Sequence, residues 1–184
     1  GTYSIPLSPV HPGRVSVFQW NSLDKLWHQK GADVSGVFNG HRFGFSVSLN
    51  GNGNILAVGA PNYISDTAAH VVGSGTTPGV GKVYTYKWNG SQWVNLGMIT
   101  NSANDGEALG WVVRLNYAGD RLVTSAPLYD SGSAAQGGRV YIYNYDSAGS
   151  SWNIAHTTPA GGLNDYLGRD AVAISDSGDR VFTG

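Results

Sequence analysis

The chain has 184 residues, the usual size of a single domain, with 12% charged residues and a formal net charge of -1. That balance excludes an electrostatic footprint for nucleic acid or an anionic membrane. A hydrophobic content of 41% excludes a disordered chain, and the absence of cysteine excludes a disulfide framework, a thiolate metal site and a Cys nucleophile.

Glu107 is the sole Glu, so the acidic residues are almost all Asp, which favours turns over helices. Ten Tyr and six Trp suit strands. No apolar run approaches the roughly 20 residues of a membrane-spanning helix.

In chain order, residues 1–12 read as a leader. Over 13–35 comes a strand, Gly13-Arg14-Val15-Ser16-Val17-Phe18-Gln19-Trp20, and a second one around Trp27. The Gly-basic-alternating pattern returns as Gly81-Lys82-Val83-Tyr84-Thr85-Tyr86-Lys87-Trp88 and as Gly138-Arg139-Val140-Tyr141-Ile142-Tyr143-Asn144-Tyr145. Each copy has the strand period of two and is followed by a turn and a further Trp, at Trp93 and Trp152. Between them recurs Phe43-Gly44-Phe45-Ser46-Val47-Ser48-Leu49, matched by Leu109-Gly110-Trp111-Val112-Val113-Arg114-Leu115 and, more loosely, by Leu167 to Ile174. A third motif follows: Gly53 to Pro61 matches Gly119 to Pro127, and Gly178 to Gly184 begins the same element.

The period is about sixty residues with four short strands in each, which predicts an all-β fold of four-stranded antiparallel β-propeller blades. Calling the strands A to D, the expected units are C–D strands over 13–35, a blade over 40–98, a second over 107–157, and A–B strands over 165–184. The A strands are expected near 43–49 and 109–115, and the B strands near 54–60 and 121–126. Strand B carries apolar residues on both faces, as expected where a sheet stacks between two others. Three blades' worth is too few for a closed ring of 4–8. The expectation is part of a larger propeller, completed by remaining blades of a longer chain or by other copies.

Phe43-Gly44 followed by Gly59-Ala60-Pro61 resembles the FG-GAP repeat of integrin α-subunit propellers and of many microbial and algal surface proteins. Leu109-Gly110 with Ser125-Ala126-Pro127 is a degenerate copy. The resemblance covers roughly 13–184 and implies a surface-exposed, extracellular or virion-borne adhesion or structural module. Calcium-binding members of that family carry several Asp residues in a long A–B loop. The corresponding turns here, Asn50-Gly51-Asn52-Gly53 and Asn116-Tyr117-Ala118-Gly119, lack those carboxylates, so no metal site is expected. Asn and Gly there are read as tolerating left-handed backbone. In the third turn, Asp176 and Asp179 would be weak oxygen ligands at most, and the calcium sites of that family do not carry over.

No catalytic constellation stands out, and neither enzyme activity nor a cofactor is expected. The histidines fall at unrelated phases of the repeat, and Ser46, Ser48 and Ser125 read as small packing residues with no Gly-x-Ser-x-Gly elbow. Asp105 and Glu107 read first as part of a turn. Asn89-Gly90-Ser91 is both a glycosylation sequon and the dipeptide of a two-residue hairpin turn.

In an antiparallel blade the B–C and D–A connections share one face, and here these are the long ones. Candidate partner-binding residues are therefore Asn62, Tyr63, Asp66, His70, Thr76 and Thr77 in the first B–C loop, and Leu128, Tyr129 and Asp130 in the second. Trp111 joins them as an aromatic at the start of a strand A. The expected function is a non-enzymatic module engaging a protein or glycan through that face. A carbohydrate-binding propeller is the alternative, and a propeller hydrolase the third reading. Nucleic acid and direct membrane insertion are not expected.

Overall fold

The computed structural model describes residues 12–37, 41–61, 80–100, 107–132 and 135–184. These form strands joined by turns, with no α-helix among them. The strands are β1 (Arg14–Val15), β2 (Phe18–Asn21), β3 (Leu26–Gln29), β4 (Val34–Ser35), β5 (Ser46–Leu49), β6 (Ile55–Ala60), β7 (Lys82–Trp88) and β8 (Trp93–Ile99). They continue as β9 (Val113–Leu115), β10 (Arg121–Ala126), β11 (Arg139–Asp146), β12 (Ser151–Thr157), β13 (Val172–Ile174) and β14 (Val181–Thr183).

Two four-stranded antiparallel sheets run in sequence order, β5-β6-β7-β8 (sheet I) and β9-β10-β11-β12 (sheet II). They are flanked by a leading pair, β2-β3, and a trailing pair, β13-β14, while β1 pairs with β4. The registers repeat: Gly59 opposes Val83 in sheet I, and Ser125 opposes Val140 in sheet II. Each outer hairpin shifts register at the same place, between Thr85 and Tyr86 and between Ile142 and Tyr143. The chain is thus an all-β fold of four-stranded sheets packed side by side like propeller blades.

The core lies between sheets, not within one. Ala57 and Val83 of sheet I pack with Val113, Leu115, Leu122, Tyr141 and Tyr143 of sheet II. Val17 and Val34 of the leading segment pack with Leu56, Val58 and Ala60. Val123 and Val140 pack with Val172 of the trailing pair. Alternate residues of β6 therefore face opposite neighbours, Leu56 and Val58 one way and Ala57 the other. This is why β6 and β10 are apolar throughout instead of alternating with polar residues.

The two family-like motifs meet each other. Gly44 N donates to Gly59 O at 3.1 Å, Gly110 N to Ser125 O at 3.1 Å, and Gly168 N to Gly184 O at 3.0 Å. The residue two before each of these glycines has positive φ: Arg42 (57°), Ala108 (58°) and Tyr166 (53°). A left-handed non-glycine costs roughly 1–2 kcal/mol, so three in register mark a turn the joint requires. This turn explains a difference from the sequence expectation. Phe43-Gly44 and Leu109-Gly110 precede strand A instead of opening it, and the strands start at Ser46 and Val113.

The turn also docks on the preceding sheet. Gly81 forms a parallel bridge with Leu109, and Gly138 one with Leu167. A Cβ on Gly81 would lie 2.2 Å from Leu109 N, so only glycine fits. The third copy looked loose because it carries one extra residue: Gly168 aligns with Gly110, yet Val172 opposes Thr183 where Val113 opposes Thr124.

Ser46 and Ser48 do more than fill space. Ser46 Oγ donates to Gly110 O at 3.1 Å, and Ser48 Oγ accepts from Leu115 N at 3.0 Å, both across the joint. The single strand expected from Gly13 to Trp20 is split into β1 and β2.

The joint sets a sharp size limit. A Cβ at Gly59 would fall 2.0 Å from Gly110 O, a backbone atom of the next sheet. Gly59→Val is expected to cost about 3 kcal/mol, the upper end for overpacking. Gln92→Ala, in an exposed turn, is expected to stay within about 0.5 kcal/mol. Chemical denaturation of both variants checks the ranking, and equal losses would contradict it.

Candidate partner-binding face

The short A–B turns are welded together. Gly51 N donates to Tyr117 O at 2.9 Å, and Tyr117 N in turn donates to Asp176 O at 3.1 Å. Asn50 is buried; its Oδ1 accepts from Asn54 N (3.0 Å) and Ile55 N (2.8 Å), while its Nδ2 donates to Tyr117 O and Ala118 O of the next turn. Asn116 is also buried, and its Oδ1 accepts from Gly119 N and Arg121 N. Arg121 reaches onward to Gly178 O at 2.8 Å. Asn50 and Asn116 are thus side-chain staples and are absent from the positive-φ residues; left-handed backbone falls to Gly53, Gly119 and Gly178. This corrects the reading of those asparagines as residues placed there to take left-handed backbone.

In the third turn a serine does the work. Ser175 Oγ accepts from Arg180 N and donates to Asp179 Oδ1 at 2.9 Å. The Ser177 and Ser175 hydroxyls hold the Asp179 carboxyl below the usual carboxylate range. Among the described residues, no group of three His, Asp or Glu side chains is placed to hold a metal.

The opposite face carries the B–C and D–A connections. Asn62, Tyr63, Asp66, His70, Thr76 and Thr77 lie outside the described residues, as does Asp105. In the second B–C loop, Tyr129 N donates to Ala126 O and Leu128 N to Glu107 O, so the loop leaves its strand in a tight turn. The Arg139 guanidinium lies 3.8 Å from the Tyr129 ring centroid. Asp130 is exposed and its carboxylate accepts from Gly132 N at 2.8 Å.

The far end of this loop is pinned. Tyr166 N donates to Gln136 O and Leu167 N to Gly137 O, both at 3.0 Å, and the Tyr166 hydroxyl donates to Gln136 Oε1. Of the three candidates in this loop, Leu128 and Tyr129 are half-buried and Asp130 is exposed.

Trp111 is half-buried against a partner that sequence reasoning did not single out. Its ring centroid lies 4.8 Å from that of Phe45, which holds the same repeat position in sheet I and is exposed. Phe45 was findable from that shared position. Glu107 is buried and accepts from the Tyr141 hydroxyl at 3.0 Å. Burial pushes the Tyr143 hydroxyl up to about 12, with the Glu107 charge adding to it. Glu107 is therefore part of the core beneath the loop face, not one of a solvent-facing carboxylate pair.

Asn89 lies exposed in a turn on the welded side. Its Oδ1 accepts from Ser91 N and Gln92 N. Because Trp88 opposes Trp93, that turn holds four residues, which corrects the expected two-residue hairpin.

The fold is shared with solved structures. A putative 6-phosphogluconolactonase from Bacteroides uniformis matches with a TM-score of 0.58 at 12% identity, over 96% of this chain and 42% of that one. Its counterpart from Bacteroides fragilis matches with a TM-score of 0.56 at 12% identity, over 92% and 41%. The chain thus spans about two-fifths of the length of these structures, and at such identity the likeness concerns the fold alone. No family model and no curated protein matches the chain.

The welded turns generate a test. Asn50→Ala removes four hydrogen bonds from a buried position and is expected to destabilise by about 2–3 kcal/mol. Asn50→Asp keeps the acceptor but turns a carboxylate toward two carbonyls, and a similar loss is expected. Melting in chelator and in millimolar calcium should give the same temperature for both variants. A calcium-dependent rise would mean that the turn is a cation site.

Proposed function

We propose that this chain is a non-enzymatic binding or structural module of the FG-GAP propeller type, engaging a protein or glycan partner through its B–C/D–A face at a cell or particle surface. The observation that carries this reading is the asymmetry of the two faces. On one, the buried Asn50 side chain and backbone hydrogen bonds tie turn to turn. On the other, connections at equivalent repeat positions differ in length and sequence although the sheets beneath them repeat closely. A fold that needs no such variation leaves it to recognition. The FG-GAP likeness is supported by the contact between Gly44 and Gly59, which joins the two halves of the motif.

The composition of the longer B–C loop, with several Thr, Ser and Gly, one His and few charges, suits adaptable hydrogen bonding more than electrostatic steering. Asn89 lies on the other face, so a glycan there would leave the loop face free. The Phe45–Trp111 pair favours a second reading, a carbohydrate ligand stacked on that ledge.

The test compares the native chain with a variant whose Ser65–Thr77 is replaced by a short Gly-Ser link, and with Trp111→Ala. Each is used in pull-downs from the native source and on a glycan array. Loss of partners with the loop variant, its melting temperature unchanged, is the expected result. Equal recovery by both would place the site elsewhere, and glycan binding lost only in Trp111→Ala would favour the carbohydrate reading.

A further inference from the structure

Three third-strand segments begin with a glycine and a basic residue, Gly13-Arg14, Gly81-Lys82 and Gly138-Arg139, at the end nearest the B–C/D–A face. The three cations are handled differently. Arg14 is bridged to the Asp33 carboxylate at 3.3 Å. Lys82 is buried, with its ammonium 5.6 Å from the Tyr84 ring centroid. Arg139 makes no ion pair and no side-chain hydrogen bond among the described residues, and its Nε is buried without a partner. The carboxylate that Arg14 holds has no counterpart in sheet II. Asp33 also accepts from Ser16 Oγ at 2.6 Å. Tyr141 holds the place of Ser16 in the repeat, and the residue opposite Tyr141 is Thr157.

Arg139 is nevertheless held in place. Its guanidinium carbon lies 3.8 Å from the Tyr129 ring centroid, and Tyr129 packs in turn on the core between sheets I and II. Stacking at that distance fixes the plane of the fork, so less rotamer freedom is lost when it binds. The carboxylates nearest in the chain and in the joint are committed elsewhere. Asp130 accepts from Gly132 N at 2.8 Å, and Glu107 accepts from the Tyr141 hydroxyl at 3.0 Å. The site therefore stands in the joint between the two complete four-stranded sheets, with an oriented cation and no anion to match it among the described residues.

We propose that Arg139 is an anion-recognition residue of the loop face, and that its ligand is a carboxylate on an acidic side chain of a protein partner. The proposal rests on the loop-face reading above and names the chemistry of its partner. With Nε buried, the two terminal nitrogens meet the ligand, and the two oxygens of a carboxylate match them end-on. The Arg14–Asp33 pair shows that a carboxylate suits the cation at this place in the repeat. An acidic peptide fits better than an acidic sugar, because a sugar ring stacks on an open aromatic face. One face of Tyr129 is covered by the guanidinium, and the ring is half-buried against the core. The chain has a formal net charge of -1, so a single positioned cation sets a partner's orientation and does not draw it from a distance.

The test uses the whole chain and three defined polymers: poly-L-glutamate as a peptide carboxylate, polygalacturonate as a sugar carboxylate and poly-L-glutamine as the neutral control. Titration calorimetry in low-salt buffer is expected to show binding of poly-L-glutamate, about tenfold weaker in Arg139→Gln. Arg139→Lys keeps the charge and the packed stem but loses the fork, and it too is expected to bind more weakly. That variant decides the matter if Arg139→Gln melts early. Arg114→Gln, which removes an exposed cation on β9, is expected to bind as the native chain does. No binding by the native chain, equal binding of poly-L-glutamine, or equal losses in Arg114→Gln and Arg139→Gln overturns the proposal. Tighter binding of polygalacturonate, lost in Arg139→Gln, overturns the peptide assignment in favour of a sugar acid. Because none of these probes is the native partner, the two readings fail separately. Unchanged recovery by the Ser65–Thr77 replacement strikes the loop-face reading, and absent poly-L-glutamate binding strikes the carboxylate site.

Discussion

Everything in this structure hangs on one close approach, the end of a second strand against the Leu-Gly turn that opens the next sheet. At the first joint Gly59 sits where any Cβ would strike Gly110 O. At the second, Ser125 is the small residue, and its hydroxyl accepts from Val112 N at 3.1 Å. That contact sets the distance between sheets, and the distance decides which side chains fill the space. Small residues line one side of the first joint (Gly59, Ala57, Ser46, Ser48) and larger ones the other (Val113, Leu115, Leu122, Tyr143). The packing repeats because the spacing repeats, as expected of arrays whose units contact only their neighbours.

The consequence for stability is that no sheet owns its core. Leu56 and Val58 are buried by the leading segment, and Ala57 by sheet II. Full burial of a Leu or Val side chain is worth about 1.5–3 kcal/mol, and each such contribution is conditional on the neighbour being in place. The aromatic pairs near the outer turns follow the same rule. Trp93 Nε1 donates to Lys30 O in the leading segment, and Trp152 Nε1 donates to Thr85 Oγ1 in sheet I. Each tryptophan anchors its hairpin to the preceding one and is bound by its own indole N–H.

The repeat was legible in the sequence because packing demands it at fixed positions: the Gly-basic-Val start of the third strand, the Ala-Pro end of the second, the paired aromatics. The continuous apolar run of β6 correctly implied burial on both faces. What the sequence did not display were polar side chains acting across joints. Asn50, Ser46 and Ser48 are residue types as common in loops as in staples, and only their neighbours reveal the difference. The extra residue after Gly168 blurred the third copy, because a one-residue slip in a period-two pattern inverts the side chains. The loop face was legible only as a contrast of lengths. Trp111 was visible as an aromatic at a special position, while its pairing with Phe45 depended on the joint bringing two sheets together.

The dependence of each sheet on its neighbours is most directly tested by cutting one out. A peptide spanning residues 41–100 contains sheet I complete with all four strands and their internal hydrogen bonds. The joint account predicts that this peptide shows no cooperative thermal transition by circular dichroism, whereas the whole chain melts cooperatively. A cooperative transition in the isolated peptide near the melting temperature of the whole chain would contradict it, because sheet I would then hold its own core.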